Sequence, residues 1–179
     1  MPRTLPPKAV GDIAEMIFHL GASTHGLFCS HPFGGSRPYD AIVDNGHTLW
    51  RIQVKSSCKK GRNGLYQIHS GRALPGRKSY SRFAIDFFAF YIVRENAWYI
   101  VPVAEVRGRL AVTLYSPARR HCGLYAQYYE AWHLLHQPRP CSCTLTLEAC
   151  ADPTLELAPP QRRNLPGPRL RLPRPTRPR

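Results

Sequence analysis

The feature that most constrains the fold of this chain is a predicted β-hairpin within residues 38–55. Asn45-Gly46 is a strong turn signal, because both residues tolerate the positive φ of a type I′ turn. Residues typical of strands dominate positions 41–43 before the turn and 48–54 after it. The sequence therefore predicts two antiparallel strands that are joined by a tight loop.

The pairing of these two strands decides which side chains can meet. With a loop of two residues, we expect Asp44 to face His47 and Asp40 to face Arg51. Side chains alternate between the two faces of a strand. One face of the hairpin is then expected to carry four polar side chains, namely Asp40, Arg51, Gln53 and Lys55.

This polar face has a chemical interpretation. A carboxylate and an amide oxygen can hold a hard divalent cation, which prefers oxygen ligands. The cation then polarises a phosphoryl oxygen or lowers the pKa of a bound water. A lysine such as Lys55 could orient that water or offset negative charge on a phosphate. The same pattern is also typical of an amphipathic hairpin with a solvated polar face, and that alternative stays open.

The residues of the hairpin also resemble a known motif. The sequence reads Pro38-Tyr39-Asp40 and then Gln53-Val54-Lys55, which is similar to the split motif of the PD-(D/E)XK nuclease superfamily. It departs from that motif in two ways, because Tyr39 separates the proline from the aspartate and Gln53 supplies no negative charge.

The resemblance extends along most of the chain. The segment 11–15, which ends in Glu15, resembles the first helix of the superfamily, and segments 85–92 and 98–102 fit its next two strands. The glutamine variant and the downstream pattern are most similar to the group I intron-associated homing endonucleases. The likeness covers about residues 10–135.

The resemblance implies a fold, an activity and a set of site residues. The fold is α/β, with a restriction-endonuclease-like core in which helices flank a mixed β-sheet. The activity is that of a Mg²⁺-dependent endodeoxyribonuclease, with Mn²⁺ as a substitute. Asp40 would ligate the metal together with the backbone carbonyl of Val54 and with Glu15. Gln53 would orient a ligand or the water, and Lys55 would position the nucleophile or stabilise the pentavalent phosphate.

Double-stranded DNA is the partner that this resemblance implies. One active site cuts one strand, so cleavage of both strands predicts a homodimer, and members of this branch also assemble as tetramers. Two alternatives stay open. The chain could be a basic DNA-binding module that has lost catalysis, or a restriction or repair nuclease with the same site.

The charge of the chain agrees with a polyanionic partner. The formal net charge is +14, and residues 55–82 contain eight Lys or Arg and no acid. Such density suits contacts with DNA phosphates, although it also occurs on solubilising surfaces. The predicted DNA-binding residues are Lys59, Lys60, Arg62, Arg72, Arg77 and Lys78.

Local patterns predict the remaining elements. Apolar residues at helical spacing predict a helix over 8–20 that includes Ile13 and Leu20, with Gly21 as its stop. A second helix is expected over 124–135. Strands are expected over 65–69, 83–93, 98–101 and 111–115. Asp86 lies inside one of these apolar runs and needs a hydrogen-bond or arginine partner.

Composition divides the chain into two parts. Residues 1–137 are predicted to form the nuclease-like domain, and residues 138–179 form a tail rich in proline and arginine that is expected to be disordered. No apolar run approaches the ~20 residues of a membrane helix, so no membrane partner is expected. We expect a cytoplasmic protein of the bacterial type, associated with the nucleoid and with reduced cysteines.

Overall fold

A computed structural model describes residues 5–34, 37–71, 80, 83–106 and 108–139. The chain divides into two units, Met1–Pro140 and Cys141–Arg179, and the second unit lies wholly outside the described residues. The domain boundary after residue 137 and the disorder of the tail therefore stay predictions.

The described residues form one α-helix and seven strands, linked by loops and 3₁₀ turns. The helix is α1 (Pro7–Thr24). The strands are β1 (Phe28–Ser30), β2 (Ala41–Asp44), β3 (Leu49–Ser57), β4 (Leu65–His69), β5 (Phe87–Ile92), β6 (Ala97–Pro102) and β7 (Ala111–Tyr115). The strands predicted over 65–69 and 111–115 are confirmed, and a short 3₁₀ turn at Val103–Val106 follows β6.

The strands form two sheets. The larger sheet has the order β1-β2-β3-β5-β6, in which β3 and β5 are parallel and the other neighbours are antiparallel. Strands β4 and β7 form a separate antiparallel pair. This mixed sheet with α1 against it confirms the predicted α/β class.

The sheet separates two apolar cores, and the alternation of β5 explains both. Phe87, Ala89 and Tyr91 belong to the core that includes α1, whereas Phe88 and Phe90 belong to the core that includes β4 and β7. All six residues of β5 are buried. A continuous apolar run is the pattern expected of a strand that is covered on both faces.

The hairpin forms, but its predicted pairing is wrong by two residues. Asp44 lies opposite Leu49 rather than His47, so the loop comprises the four residues 45–48. The Asn45 amide N–H donates to the carbonyl of Thr48 at 3.3 Å. A shift of two residues keeps the alternation of side chains, so the expected polar face of β3 is unchanged.

The side chain of Asn45 accounts for the wider loop. Its Oδ1 accepts hydrogen bonds from the amides of His47 and Thr48, at 2.9 and 2.7 Å. Its Nδ2 donates to the carbonyls of Leu135 and Gln137, at 2.8 and 3.0 Å. The loop is therefore shaped by contacts with a distant part of the chain.

Helix α1 is longer than predicted and does not end at Gly21. A Cβ atom at Gly21 would lie 3.0 Å from the ring of Trp132, so this glycine lets the indole pack against the helix. The buried side of the helix is formed by Ala14, Phe18 and Ala22. Ile13 and Leu20, which were predicted to be buried, are 37 % and 66 % exposed.

The helix predicted over 124–135 does not form. Two 3₁₀ turns, Ala126–Tyr128 and Trp132–His136, take its place, and Glu130 lies between them at a positive φ of 47°. Glu130 explains this conformation. Its N–H donates to the Trp98 carbonyl at 2.9 Å, and its carboxylate accepts from the Trp98 amide at 2.7 Å. These bonds hold the segment at the edge of β6.

Asp86 has the arginine partner that was predicted. Its carboxylate lies 3.0 Å from Nη2 of Arg51 and 3.2 Å from Nη2 of Arg139. Burial raises the pKa of Asp86, but the hydrogen bonds from Arg51 outweigh that effect and hold the pKa below its usual value. In the described part of the chain, no helix has the length and apolarity needed to cross a bilayer.

Candidate active site

The predicted site residues meet where β2 begins beside the middle of β3. The Asp40 amide N–H donates to the carbonyl of Ile52 at 2.8 Å, which extends the hairpin ladder by one residue. Continuing the observed register places Asp40 level with Gln53. The acid and the amide of the motif are therefore brought side by side.

The carboxylate of Asp40 is held by two donors from β3. Its Oδ2 accepts hydrogen bonds from the backbone amide of Val54, at 2.8 Å, and from the side-chain Nε2 of Gln53. The same Nε2 lies 3.3 Å from the carbonyl oxygen of Val54. Gln53 is only 4 % exposed. This cluster fixes Asp40 relative to the backbone of the central strand.

The electrostatics of Asp40 link it to Lys55. Burial is the largest influence and raises the pKa of the Asp40 carboxyl. The Lys55 ammonium and the hydrogen bond from the Val54 amide oppose this increase without cancelling it. Asp40 and Lys55 are thus close enough to interact, which is the arrangement that the motif requires.

Helix α1 adds a second carboxylate. Burial and then the neighbouring Asp40 raise the pKa of the Glu15 carboxyl, while Lys55 lowers it. Two carboxylates in one half-buried place repel each other, and a cation relieves that repulsion. The structure therefore brings Glu15, Asp40 and Lys55 together from three separate elements, and their roles stay predictions.

The donor set fits a hard cation. Oxygen atoms from Asp40, Glu15 and the Val54 carbonyl are the ligand type that Mg²⁺ prefers, with water completing its octahedron. Among the described residues, no group of three or more His, Cys, Asp or Glu side chains could hold a metal ion. Two carboxylates and a carbonyl suit magnesium better than zinc, which favours nitrogen and sulfur.

His31 also lies near the two carboxylates, although no pattern in the sequence predicts it as a site residue. This residue follows β1 directly, and its charge lowers the pKa of both Asp40 and Glu15. The ring of His31 lies 6.1 Å from that of His19, and both line a cavity of about 530 Å³ with Glu15. The pairing of β1 with β2 brings it there, since Ser30 lies opposite Ile42. The sequence indicates a short strand within residues 26–31, and β1 lies there, but no local pattern shows that this strand pairs with β2.

The predicted DNA-binding residues fall into two groups. Lys59, Lys60 and Arg62 are exposed and follow β3 directly, and a groove of about 690 Å³ connects the two lysines with Lys55. The Nζ of Lys60 lies 2.8 Å from Glu95, so its charge is already paired. The other three predicted residues, Arg72, Arg77 and Lys78, lie outside the described residues.

Known proteins share this sequence pattern and this fold. The family model described as PD-(D/E)XK endonuclease matches residues 5–135. The solved structure of a bacterial homing endonuclease, I-Ssp6803I, is 27 % identical, with a TM-score of 0.65, and the match covers 74 % of this chain and 95 % of that one. A Holliday junction resolvase, Hjc from Archaeoglobus fulgidus, is 16 % identical, with a TM-score of 0.41, over 69 % of this chain and 95 % of that one.

No protein of curated function matches this chain in sequence. The family match nevertheless spans well over half of the residues and includes α1, the hairpin and β5. The chain belongs to the PD-(D/E)XK endonuclease family.

Proposed function

We propose that this protein is a Mg²⁺-dependent endonuclease that hydrolyses phosphodiester bonds in double-stranded DNA and serves as a homing endonuclease. The observation that carries the proposal is the convergence of Asp40, Glu15 and Lys55 where β2 begins beside the middle of β3. The 27 % identity with the bacterial homing endonuclease I-Ssp6803I favours this role within the family.

Each site residue has a distinct task in this proposal. Asp40, Glu15 and the carbonyl oxygen of Val54 would hold Mg²⁺, or Mn²⁺ as a substitute. A bound divalent cation supplies Lewis acidity toward the phosphoryl oxygen and lowers the pKa of an attached water. The Lys55 ammonium would orient the attacking water and stabilise the charge that grows on the phosphate. Gln53 would keep the Asp40 carboxylate in position through its side-chain amide.

The basic surface beside the site would bind the DNA backbone. Lys59, Lys60 and Arg62 lie on the exposed loop that follows Lys55, where a phosphate chain that enters the site would pass. The net charge of +14 favours such binding in general. Arg72, Arg77 and Lys78 are also proposed to bind DNA, as the sequence predicts.

Cleavage of both strands requires a second active site in the opposite orientation. We therefore propose a homodimer or homotetramer that binds a pseudo-palindromic target. We also propose a location at the bacterial nucleoid, which suits a DNA substrate, and we propose no membrane partner.

Nicking of supercoiled plasmid DNA in Mg²⁺ tests the proposal. We expect Asp40→Asn and Lys55→Ala each to lower the nicking rate by about a hundredfold or more. DNA binding in Ca²⁺ should stay nearly unchanged in both variants. Asp44→Asn is the matched control, because Asp44 lies at the other end of β2, where its carboxylate accepts a turn hydrogen bond from the Gly46 amide at 2.8 Å.

Two results would reject the assignment. Full nicking activity in purified Lys55→Ala protein would remove the proposed mechanism. The second result concerns the wild-type protein. If it binds DNA but does not nick it, and if calorimetry with Mn²⁺ shows no binding heat that depends on Asp40, the protein is a catalytically inactive DNA-binding module. Gln53 is the residue that gives this second candidate its physical basis, since a missing carboxylate weakens cation binding.

A further inference from the structure

The side-chain amide of Gln53 lies between two of the proposed metal ligands. Its Nε2 donates to Oδ2 of Asp40 and lies 3.3 Å from the carbonyl oxygen of Val54. Both of these oxygens are hydrogen-bond acceptors. The group between them must therefore be a donor, and the amide NH₂ is the only donor that this side chain has.

Burial increases the energetic importance of the two contacts that the Gln53 amide makes. Gln53 is 4 % exposed and Val54 is 5 % exposed, so bulk water has little access to the amide. A buried acceptor without a donor is costly. In the metal-free protein, the NH₂ group of Gln53 thus supplies part of the positive charge density that Asp40 needs.

The same position suits a cation. Asp40 and the Val54 carbonyl would hold a hard divalent cation through these same oxygen atoms, which are the ligand type that such a cation prefers. An amide nitrogen cannot take part as a ligand, because its lone pair is delocalised into the carbonyl and hard cations prefer oxygen. The NH₂ group and a bound cation therefore compete for the same two oxygen atoms, those of Asp40 and of the Val54 carbonyl.

Glutamine can resolve this competition by a rotation. The terminal torsion of a glutamine side chain is broad and roughly two-fold, so a half turn exchanges Nε2 with Oε1 at low cost. After that turn, Oε1 faces the Asp40 carboxylate and would repel it, unless the positive charge of a bound cation offsets the repulsion. The two orientations thus belong to two states of the site.

We propose that the Gln53 carboxamide is a metal-responsive gate, in which Nε2 bridges Asp40 and the Val54 carbonyl without metal and Oε1 turns inward when a cation binds. This inference rests on the proposed function and assigns a regulation to the same site. It gives the glutamine at this motif position a physical purpose. A glutamate there would leave another buried negative charge next to Asp40 and Glu15 in the metal-free protein.

Nuclear magnetic resonance of the ¹⁵N-labelled full chain tests the gate directly. The Gln53 side-chain NH₂ signals are assigned as those lost in the Gln53→Glu variant. During a titration with Mg²⁺, we expect them to shift and to exchange faster with solvent, because their acceptors are taken. The backbone amide of Val54 donates to Asp40, so its signal should shift with the same midpoint Mg²⁺ concentration as the Gln53 signals.

The titration separates the gate from the nuclease proposal. A shift of the Val54 amide with an unmoved Gln53 side chain would overturn the gate and leave the metal site standing. An absence of Mg²⁺-dependent shifts at both residues would overturn the gate and the metal-dependent function together.

Calorimetry with Mn²⁺ gives a second readout. We expect Gln53→Glu to bind Mn²⁺ about tenfold more tightly, because a carboxylate presents an oxygen atom without the rotation that the amide needs to exchange Nε2 for Oε1. In EDTA, the same variant should melt at a lower temperature than the wild type, and Mn²⁺ should restore it. Gln127→Glu is the control, since Gln127 is exposed on a 3₁₀ turn. Equal Mn²⁺ affinities of wild type and Gln53→Glu would overturn the gate.

Discussion

Oδ2 of Asp40 accepts a hydrogen bond from the backbone amide of Val54 at 2.8 Å. Strand β2 begins only at Ala41, so beside Asp40 a buried amide of β3 is satisfied by an acidic side chain. The position of Asp40 is therefore tied to the main chain of the central strand. Asparagine keeps an oxygen that can accept this hydrogen bond, whereas alanine does not. Asp40→Asn therefore distinguishes an effect on catalysis from an effect on folding better than Asp40→Ala does.

The affinity of the site for a metal ion should depend on pH more strongly than it would at solvent-exposed carboxylates. The pKa values of Asp40 and Glu15 are raised, chiefly by burial, so both groups hold protons at pH values where exposed acids are ionised. A cation must displace these protons. We expect Mn²⁺ affinity, measured by calorimetry between about pH 7.5 and 5, to fall as pH falls.

Glu15→Gln is the variant that identifies the source of this pH dependence. It removes one titrating group and the repulsion that Asp40 exerts on it. We expect weaker Mn²⁺ binding at neutral pH and a shallower loss of affinity toward acidic pH. An identical pH profile in wild type and Glu15→Gln would show that Glu15 does not take part in the site.

Two glycines of α1 should respond in opposite ways to alanine. A Cβ at Gly11 meets nothing within 4 Å, so Gly11→Ala should stabilise the protein by about 0.5–1 kcal/mol through helix propensity. A Cβ at Gly21 would lie 3.0 Å from the Trp132 ring, which is itself stacked against Phe18 and His25. Gly21→Ala should destabilise by about 1–3 kcal/mol, as overpacking does. Urea denaturation measures both, and equal effects would contradict this packing.

Asp86 should matter for stability through its arginine partners. Its carboxylate accepts from Nε and Nη2 of Arg51, both at 3.0 Å, and from the Arg51 amide at 2.9 Å. Because Arg51 is partly exposed, we expect Asp86→Ala to cost about 2–3 kcal/mol, below the range of fully buried pairs. Glu105→Ala, at an exposed acid, should change stability by less than about 0.5 kcal/mol. Similar unfolding midpoints for the two variants would refute the structural role of Asp86.

The salt dependence of DNA binding should distinguish two neighbouring lysines. Lys59→Ala should reduce the slope of log K against log salt by about 0.9, the value for one phosphate contact. Lys60→Ala should reduce it less, because the Lys60 ammonium already lies 2.8 Å from Glu95. Fluorescence anisotropy with a labelled duplex in Ca²⁺ gives both slopes. A larger loss of slope in Lys60→Ala than in Lys59→Ala would mean that DNA displaces Glu95.

The sequence by itself determined which polar side chains share one face of β3 and much of the sheet. The spacing of Asp40 and Gln53-Val54-Lys55 identified the polar cluster, because the alternation of side chains is a local property of any strand. The bounds of β4 and β7 followed from local strand-forming patterns in the same way. The polar face of β3 is the predicted one although the predicted register is wrong, because a shift of two residues preserves the alternation of side chains between the two faces.

Tertiary contacts decided the rest. The loop of the hairpin has four residues because Asn45 donates to the carbonyl of Leu135, which lies 90 positions further along the chain. The segment 124–135 is not a helix because Glu130 bonds to Trp98, and α1 continues past Gly21 because Trp132 packs there. Helix and turn propensities act over a few residues and amount to about 1 kcal/mol at each position, so hydrogen bonds and close packing from distant residues can override them.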